Sequence, residues 1–567
     1  MALEAADKIV TNDDGVHAVS FATDPSRYRH WKLATDGAIA TLTMDVDPAG
    51  SLFPGAELKL NSYDLGVDIE LADAVQRLRF EHPAVKAVVI RSGKDNVFCA
   101  GANITALAES THQHKVNFCK FTNETRLAIE DASEHSGQRY LAAIGGPAAG
   151  GGYELAAACD WIMLVDDRRS SVSLPELPLL AVLPGTGGLT RLTDKRKVRR
   201  DLADVFCTAQ EGVRGKRAAE WRLVDEVVAN KGFDDAVAAR ARAFAARGGQ
   251  RPGQGVALTP LDRRFAEDGG VAYSLVDIAV DRAARRATLT LRGPQDEAPA
   301  SMAALHAEGA QTWALRLARE LDDALLHLRF NEEELGLIVF KTEGDAARVL
   351  AHEAVLIANR EADWLAREIL LYWKRVLKRI DLTSRSLAAL IETGSCFAGP
   401  LAEIAFACDR SYMMKGAFEG DNRPPATLTL GPSSFGPMPM SNGLTRLQTR
   451  FLGEPASVEA AQRLVGVSIE AEQALRAGLV TFAYDDVDWS DELRIFMEER
   501  ASFSPDVMTG LEANLRFAGP ETMETRIFGR LTAWQNWIFN RPNAVGETGA
   551  LRRYGSGQRG AFDMRRV

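Results

Sequence analysis

The sequence has few cysteines and no run of uncharged apolar residues long enough to cross a membrane. The 567 residues include six cysteines, none in a Cys-x-x-Cys pair, at positions 99, 119, 159, 207, 396 and 408. Cys159 and Cys408 each precede an Asp inside an apolar run, which indicates buried free thiols in a reducing compartment. The longest apolar stretch, residues 387–407, contains Glu392 and Glu403. The first residues also lack a signal-peptide pattern, so we expect a cytoplasmic protein that does not enter a membrane.

Net positive charge is also lacking. The formal net charge is −10, which argues against nucleic acid as a main partner. A local basic patch is still able to bind a phosphorylated ligand in an acidic protein. The sequence shows no phosphate-binding loop and no cluster with metal-ligand spacing, and the Gly150-Gly151-Gly152 run lacks the spacing of a dinucleotide fingerprint. We therefore expect neither a metal nor a separate cofactor.

The length and the pattern of segments indicate an α/β protein with more than one domain. A chain of 567 residues is too long for one hydrophobic core. Residues 38–44 and 87–90 have the composition of strands, and residues 69–80 have the apolar spacing of a helix. Strands that alternate with helices predict βαβ units and a mostly parallel sheet.

The same order of segments recurs in the second half of the chain and predicts an internal duplication. The segments that recur are residues 38–44 as 286–291, 70–80 as 320–330, 87–90 as 337–340, 188–192 as 443–447 and 221–224 as 477–480. The junction falls in the Gly-, Pro- and Arg-rich residues 247–260. We predict an N-terminal extension at 1–28, a first domain at 29–255, a second at 256–490, and a helical C-terminal segment with an irregular basic tail at 491–567.

Two turns made of small residues are suited to binding a carbonyl oxygen. Residues 98–104 follow a buried strand, and Gly150, Gly151 and Gly152 open a helix. Such turns expose backbone N–H groups, and the second lies at the positive end of a helix dipole. Two N–H groups on one oxygen would stabilise an oxyanion. Either turn alone is more often a plain tight turn, whereas the two together, in this order, are far more specific.

The residues of these turns resemble those of the enoyl-CoA hydratase/isomerase (crotonase) superfamily. The resemblance covers residues 29–246, through segments 98–104, 150–156, 174–176, 183–188 and 223–228. It implies the crotonase ββα spiral fold, with oxyanion-hole N–H groups from Ala102 and Gly151. It also implies water chemistry by Glu154 and Glu176. Asn103 stands where many members have Asp, which does not remove a backbone donor.

The resemblance further implies that coenzyme A is part of an acyl-CoA substrate. Family members bind its adenine against the backbone near the first turn, here Ala100 and Ile104, and near the segment after the first strand, here Lys59 and Leu60. Lys59 is either a phosphate contact or an ordinary exposed lysine, and the sequence favours neither interpretation.

The two glutamates have simple structural explanations as well as the catalytic one. Glu154 lies in the first turn of a helix, where the dipole alone favours a carboxylate, and Glu176 follows Pro175 in a predicted loop. Two carboxyl groups beside one water are suited to acid/base work, and their proximity separates their pKa values. The sequence does not assign which is acid and which is base. We interpret Cys99 as a packing residue, since no His partner lies nearby in sequence.

The predicted second copy has lost parts of the site. Glu403 aligns with Glu154, but Pro400 takes the place of Gly151 and has no N–H to donate. Residues 341–345 replace the first turn, and Gly431 replaces Glu176. We predict that this domain does not catalyse and that it packs on the first domain in place of a subunit contact. A duplicated chain then favours a small homo-oligomer, most simply a dimer.

The double length and the segment 174–188 resemble one double-length member of the family in particular. That resemblance implies opening of the oxidised ring of an aromatic acyl-CoA with two waters. Two alternatives stay open. The first is an ordinary enoyl-CoA hydratase or isomerase that uses the same glutamates. The second is an acyl-CoA-binding or scaffolding protein, against which the retained glutamates and turns argue.

Overall fold

The computed structural model describes residues 9–11, 17–249 and 251–567. The chain forms two compact units, Met1–Leu258 and Thr259–Val567. Within the described residues, every helix is too short or too polar to cross a lipid bilayer. The predicted extension at 1–28 falls partly outside the described residues, and its described part includes a pair of short antiparallel strands.

The first unit is built on a six-stranded sheet in the order β10-β8-β6-β5-β4-β3. All its neighbours are parallel except the hairpin β3–β4. Strands β5 and β6 are buried along almost their whole length, as expected for strands covered on both faces. The strands of the unit are β1 Ile9–Thr11, β2 His17–Val19, β3 Trp31–Asp36, β4 Ile39–Met44, β5 Ala87–Ser92, β6 Arg139–Ile144, β7 Ala148–Ala149, β8 Trp161–Asp166, β9 Val172–Ser173 and β10 Glu226–Ala229.

Three helices of the first unit begin at a polar residue whose side chain caps the helix. The side chain of Asp64 caps α1, Asn103 caps α2 and Thr111 caps α3, whereas α4 begins after Gly150 with no side-chain cap. The helices are α1 Leu65–Phe80, α2 Ile104–Glu109, α3 His112–His135, α4 Gly151–Ala158, α5 Glu176–Leu180, α6 Gly188–Asp194, α7 Arg200–Thr208, α8 Gly215–Glu220 and α9 Phe233–Arg247.

These elements confirm the α/β class and the predicted strands and helix of the first half. The predicted helix at 69–80 starts four residues earlier in the structure, at Leu65, because the Asp64 carboxylate accepts the N–H groups of Gly66 and Val67. One prediction was wrong in detail. Glu176 does not lie in a loop but is the first residue of the short helix α5.

The second unit is built on an eight-stranded sheet in the order β11-β12-β13-β14-β15-β16-β18-β21. A three-stranded sheet, β17-β19-β20, lies apart from it. The strands are β11 Arg264–Phe265, β12 Val271–Ala272, β13 Val276–Asp281, β14 Arg286–Arg292, β15 Leu337–Glu343, β16 Ser386–Ile391, β17 Phe397–Ala398, β18 Arg410–Met414, β19 Thr427–Thr429, β20 Ser468–Glu470 and β21 Phe482–Tyr484. From β13 to β18, the order of strands and helices follows that of β3 to β8, except for one additional α-helix, Met302–Glu308, after β14.

The second unit ends in a series of helices. Its helices are α10 Met302–Glu308, α11 Trp313–Asn331, α12 Ala346–Asn359, α13 Trp364–Asp381, α14 Gly399–Ala407, α15 Arg446–Arg450, α16 Pro455–Gln462, α17 Ala471–Arg476, α18 Asp486–Ser502, α19 Pro505–Arg516, α20 Met523–Arg526, α21 Thr532–Ile538, α22 Pro542–Val545 and α23 Ala550–Arg553. The tail after α23 forms no helix or strand, but its last two residues are packed against the unit. Arg566 and Val567 are buried, and Arg566 Nη2 lies 2.7 Å from Glu512 Oε2.

Candidate active site

The two glycine turns lie against each other through their backbones. The N–H of Ala149 donates to the carbonyl oxygen of Cys99 at 3.0 Å. Gly101 has a φ of +89°, and a β-carbon there would lie 2.9 Å from the Ala149 oxygen and 3.1 Å from the Gly151 nitrogen. A side chain at this position would therefore be strained and would push the turns apart.

The N–H groups of Ala102 and Gly151 are the predicted oxyanion-hole donors, and neither donates a hydrogen bond to another described residue. Tyr63 N–H donates to Gly101 O at 3.0 Å, and Asn103 N–H donates to Tyr63 O at 2.8 Å. These bonds flank Ala102, so its own N–H faces away from Tyr63. Gly151 is the first residue of α4, where the helix leaves N–H groups unsatisfied. Within the described part of the chain, no acceptor contacts either N–H.

Glu154 is buried, and both of its carboxylate oxygens accept hydrogen bonds. The Thr186 hydroxyl donates to Oε2, and the Gly188 N–H donates to Oε1 at 2.7 Å. Burial raises the pKa of Glu154, while these two donors and the charges of Arg126 and Arg191 oppose that rise. The carboxyl group is therefore held in one orientation.

Glu176 lies beside the second turn, and one of its oxygens has no partner. A β-carbon on Gly150 would come within 3.0 Å of Glu176 Oε1. Glu176 Oε2 is buried without a hydrogen bond to any described residue. Burial and then the negative charge of Glu154 raise the pKa of Glu176 to about 7. The structure thus brings both predicted carboxyl groups to the glycine turns, with unequal surroundings.

The predicted coenzyme A contacts lie at the outer side of the first turn. Ala100 N–H donates to Leu60 O at 3.1 Å, which joins the turn to the segment after β4. Leu60 and Ile104 are exposed apolar side chains. Lys59 Nζ lies 3.0 Å from Glu57 Oε2, so a phosphate at Lys59 would compete with an exposed ion pair.

Sequence reasoning assigned no role to several residues that contact the site. Thr186 and Gly188 lie in a segment that carried the family resemblance, but their bonds to Glu154 depend on the fold. Tyr63 places its hydroxyl against Gly151. All six cysteines are free, and Cys119 is only partly buried. Burial raises the pKa of Cys99 to about 12, and its Sγ donates to Asn61 O at 3.0 Å, as expected of a packing residue.

The corresponding turn of the second unit carries a proline. Gly399 has a φ of +48° and is followed by Pro400 in the first turn of α14. Glu403 is fully buried, and Arg446 Nη1 donates to its Oε2 at 3.3 Å. Arg446 also pairs with Asp381 at 2.7 Å. Burial raises the pKa of Glu403 to about 7 against the charge of Arg446.

The prediction that this second turn has lost its other carboxyl group was wrong. Glu353, from α12, fills the space next to Gly431. A β-carbon on Gly399 would lie 2.9 Å from Glu353 Oε2, and Ser433 N–H donates to Oε1 at 2.8 Å. The helix α12 therefore places a buried carboxyl group next to Gly399. Glu176 lies next to Gly150 in the same way in the first unit.

One known protein resembles nearly the whole chain, and others resemble only a part of it. Residues 57–250 match a family model described as enoyl-CoA hydratase/isomerase. The benzoyl-CoA-dihydrodiol lyase of Aromatoleum evansii is 57% identical over 559 residues, which are 98% of this chain and 100% of that protein. The fatty acid oxidation complex subunit alpha of Aliivibrio fischeri is 32% identical over 200 residues, 34% of this chain and 26% of that one.

Among solved structures, an enoyl-CoA hydratase from Geobacillus kaustophilus is 30% identical, with a TM-score of 0.34 and coverage of 38% of this chain and 75% of that one. The full-length relative covers both units of the chain, and the family model matches the first unit. The chain belongs to the enoyl-CoA hydratase/isomerase family.

Proposed function

We propose that this chain is an acyl-CoA lyase that opens an oxidised benzoyl ring. Its substrate is 2,3-epoxybenzoyl-CoA or the dihydrodiol form, and two waters convert it to 3,4-dehydroadipyl-CoA semialdehyde and formate. The observation that carries the proposal is the 57% identity to benzoyl-CoA-dihydrodiol lyase along both whole chains. The relatives that match only the first unit cover 34% of this chain and leave its second half without a counterpart.

The thioester carbonyl is placed on the N–H groups of Ala102 and Gly151. Cleavage of a ring C–C bond leaves negative charge at the carbon next to the thioester, and this charge spreads onto the carbonyl oxygen. Two fixed donors and the positive end of α4 stabilise that charge without having to reorganise. Coenzyme A enters as part of the substrate, along Lys59, Leu60, Ala100 and Ile104, and no separate cofactor or metal is needed.

The unequal surroundings of the two glutamates suggest their roles. Glu176 has a buried, unpartnered oxygen and a pKa raised to about 7 by burial and by Glu154, so it accepts a proton at neutral pH and returns it later. Glu154 is held by Thr186 and Gly188 and orients the water or ring hydroxyl between the two carboxyl groups.

We further propose that the second unit is a non-catalytic copy of the first. The matching order of β3–β8 and β13–β18 supports duplication. Pro400 cannot donate an N–H, and Glu353 fills the space beside Gly399. The proposed boundary between the domains 29–255 and 256–490 lies close to the division between Leu258 and Thr259, and 491–567 is proposed as a further helical segment with a basic tail. The duplicated chain is expected to form a homodimer.

Product analysis tests the reaction. Purified protein is incubated with epoxidised benzoyl-CoA, and formate and the ring-opened CoA ester are measured together. We expect equal amounts of both products, and full activity after treatment with a metal chelator. Crotonyl-CoA is the matched alternative substrate. Hydration of crotonyl-CoA without release of formate from the aromatic substrate would identify an ordinary hydratase instead.

A further inference from the structure

One residue, Tyr63, lies beside both proposed donors of the oxyanion hole, through its backbone at Ala102 and through its side chain at Gly151. Its backbone donates to Gly101 and accepts from Asn103, which holds Ala102 between the two bonds. The hydroxyl of its side chain occupies the space beside the α-carbon of Gly151, where a β-carbon would collide with it. Only glycine therefore fits at position 151, the first residue of α4.

The Tyr63 hydroxyl has no partner in the ligand-free protein. Tyr63 is 2% exposed, and its hydroxyl makes no hydrogen bond to any residue that the structure describes. The ring packs near Phe118, and the guanidinium of Arg126 lies 5.4 Å from the ring centroid. Arg126 is itself neutralised by Asp68 at 2.6 Å, so it does not use the hydroxyl. A buried donor without an acceptor is unfavourable and is typical of sites that await a ligand.

The hydroxyl stays protonated at neutral pH. Burial raises the pKa of Tyr63 well above its usual value, and the charges of Asp68 and Glu154 add to that rise while Arg126 opposes it. The group is therefore a neutral O–H donor rather than a phenolate, and a phenolate would repel a developing oxyanion.

We propose that Tyr63 is a further catalytic residue, whose hydroxyl donates a third hydrogen bond to the thioester oxygen beside the N–H groups of Ala102 and Gly151. This inference rests on the proposed function, because it needs an acyl-CoA carbonyl in the hole. The third donor matters most when a full negative charge must be held during ring cleavage, so its contribution appears in the transition state more than in substrate binding.

The test replaces only the hydroxyl, with Tyr63→Phe. Removal of one oxyanion donor is expected to lower kcat by about 10²-fold or more. Because the interaction strengthens in the transition state, kcat and kcat/KM are expected to fall together, with KM little changed. The melting temperature should not fall, because the ligand-free protein gives the hydroxyl no partner to lose.

Tyr140→Phe is the matched control. Tyr140 is 0% exposed, and its hydroxyl is likewise buried without a hydrogen-bond partner in the described structure. It lies near the start of β6, whereas the glycine turn follows the other end of that strand. Tyr140→Phe should therefore keep wild-type kcat. If Tyr63→Phe and Tyr140→Phe lower kcat equally, or lower the melting temperature equally, the inference is overturned.

A spectroscopic measurement separates this inference from the proposed function. Benzoyl-CoA carrying carbon-13 at the thioester carbonyl is bound to each protein, and the carbonyl band is recorded by infrared difference spectroscopy. Polarisation in the hole lowers this frequency in wild type, and Tyr63→Phe should return it part of the way to the value of free benzoyl-CoA. No shift in wild type would refute the acyl-CoA site itself. Equal shifts in wild type and Tyr63→Phe would refute only the third donor.

Discussion

The carboxyl group of Glu176 lies directly against Gly150. A β-carbon added to this glycine would be 3.0 Å from Glu176 Oε1. The other oxygen, Oε2, is buried without a partner. Because the carboxyl group of Glu176 is buried, water stabilises its negative charge poorly. The negative charge of nearby Glu154 destabilises it further. These two effects raise the pKa of Glu176 to about 7. The contact connects the proposed proton-transfer group, Glu176, to the turn that carries the proposed Gly151 donor.

The pH dependence of the reaction should report this pKa. If Glu176 accepts a proton from the bound substrate, it must be ionised in the free enzyme, so kcat/KM is expected to rise as the pH increases through about 7. Steady-state rates with epoxidised benzoyl-CoA between pH 5 and 9 measure this. The rising limb should be missing from the residual activity of Glu176→Gln. A limb that persists unchanged in that variant would assign the titration to another group.

Stability should respond to the same residue. The folded-state pKa of Glu176 is raised from 4.5 to about 7 by burial and by Glu154, so folding favours the protonated form. Its contribution to stability is full below the unfolded pKa and is lost as the pH rises through about 7. Glu176→Gln is therefore expected to be more stable than wild type at pH 8, by roughly 1–3 kcal/mol.

Thermal unfolding at pH 5 and pH 8 checks that expectation. The gain in melting temperature from Glu176→Gln should be clearly larger at pH 8, where wild type carries the buried charge. Glu220→Gln is a suitable control, because Glu220 forms only an exposed ion pair with Lys216. A stabilisation that is equal at both pH values would show that Glu176 titrates normally.

Nearby sequence predicted the two turns, whereas contacts distant in sequence could not be predicted. The small residues at 98–104 and 150–152 indicated turns that expose N–H groups, and the family resemblance implied Ala102 and Gly151 as the donors. The bonds from Thr186 to Glu154 and the packing of Tyr63 on Gly151 depend on how separate segments meet. Glu353 escaped prediction because it lies on α12, distant in sequence from the Gly399 turn that it contacts.

Gly101 should not tolerate a side chain, because of its backbone conformation and its close neighbours. Gly101 has a φ of +89°, and a β-carbon there would press against Ala149 O and Gly151 N. Gly101→Ala should therefore strain the turn and displace the proposed donor. We expect kcat to fall by about 10²-fold or more, as for loss of one oxyanion donor. Gly37→Ala is the matched control, since Gly37 also has a positive φ, +55°, but has open space around its missing β-carbon. Comparable losses of activity in the two variants would attribute the effect to backbone strain alone.

The two carboxyl groups should be needed for turnover and not for binding. Glu154→Gln and Glu176→Gln keep the shape of each side chain but remove its charge. Each is expected to lower kcat by about 10²-fold or more, while benzoyl-CoA still binds. Stopped-flow turnover and calorimetric titration measure the two quantities. Near-normal turnover in both variants would refute the assigned acid/base pair.

The second unit should bind no substrate, although it too holds two buried carboxyl groups. Glu353 and Glu403 are 2% and 0% exposed, and Pro400 stands where a donor is needed. Calorimetric titration with benzoyl-CoA is therefore expected to give one site per chain. Glu353→Gln keeps an acceptor for the Ser433 N–H and should leave kcat and KM at wild-type values, in contrast to Glu176→Gln. Burial raises the pKa of Glu353, so removal of its charge should also stabilise the protein as the pH rises, not as it falls. Two sites per chain, or a loss of turnover in Glu353→Gln, would mean that the second carboxyl pair takes part in catalysis.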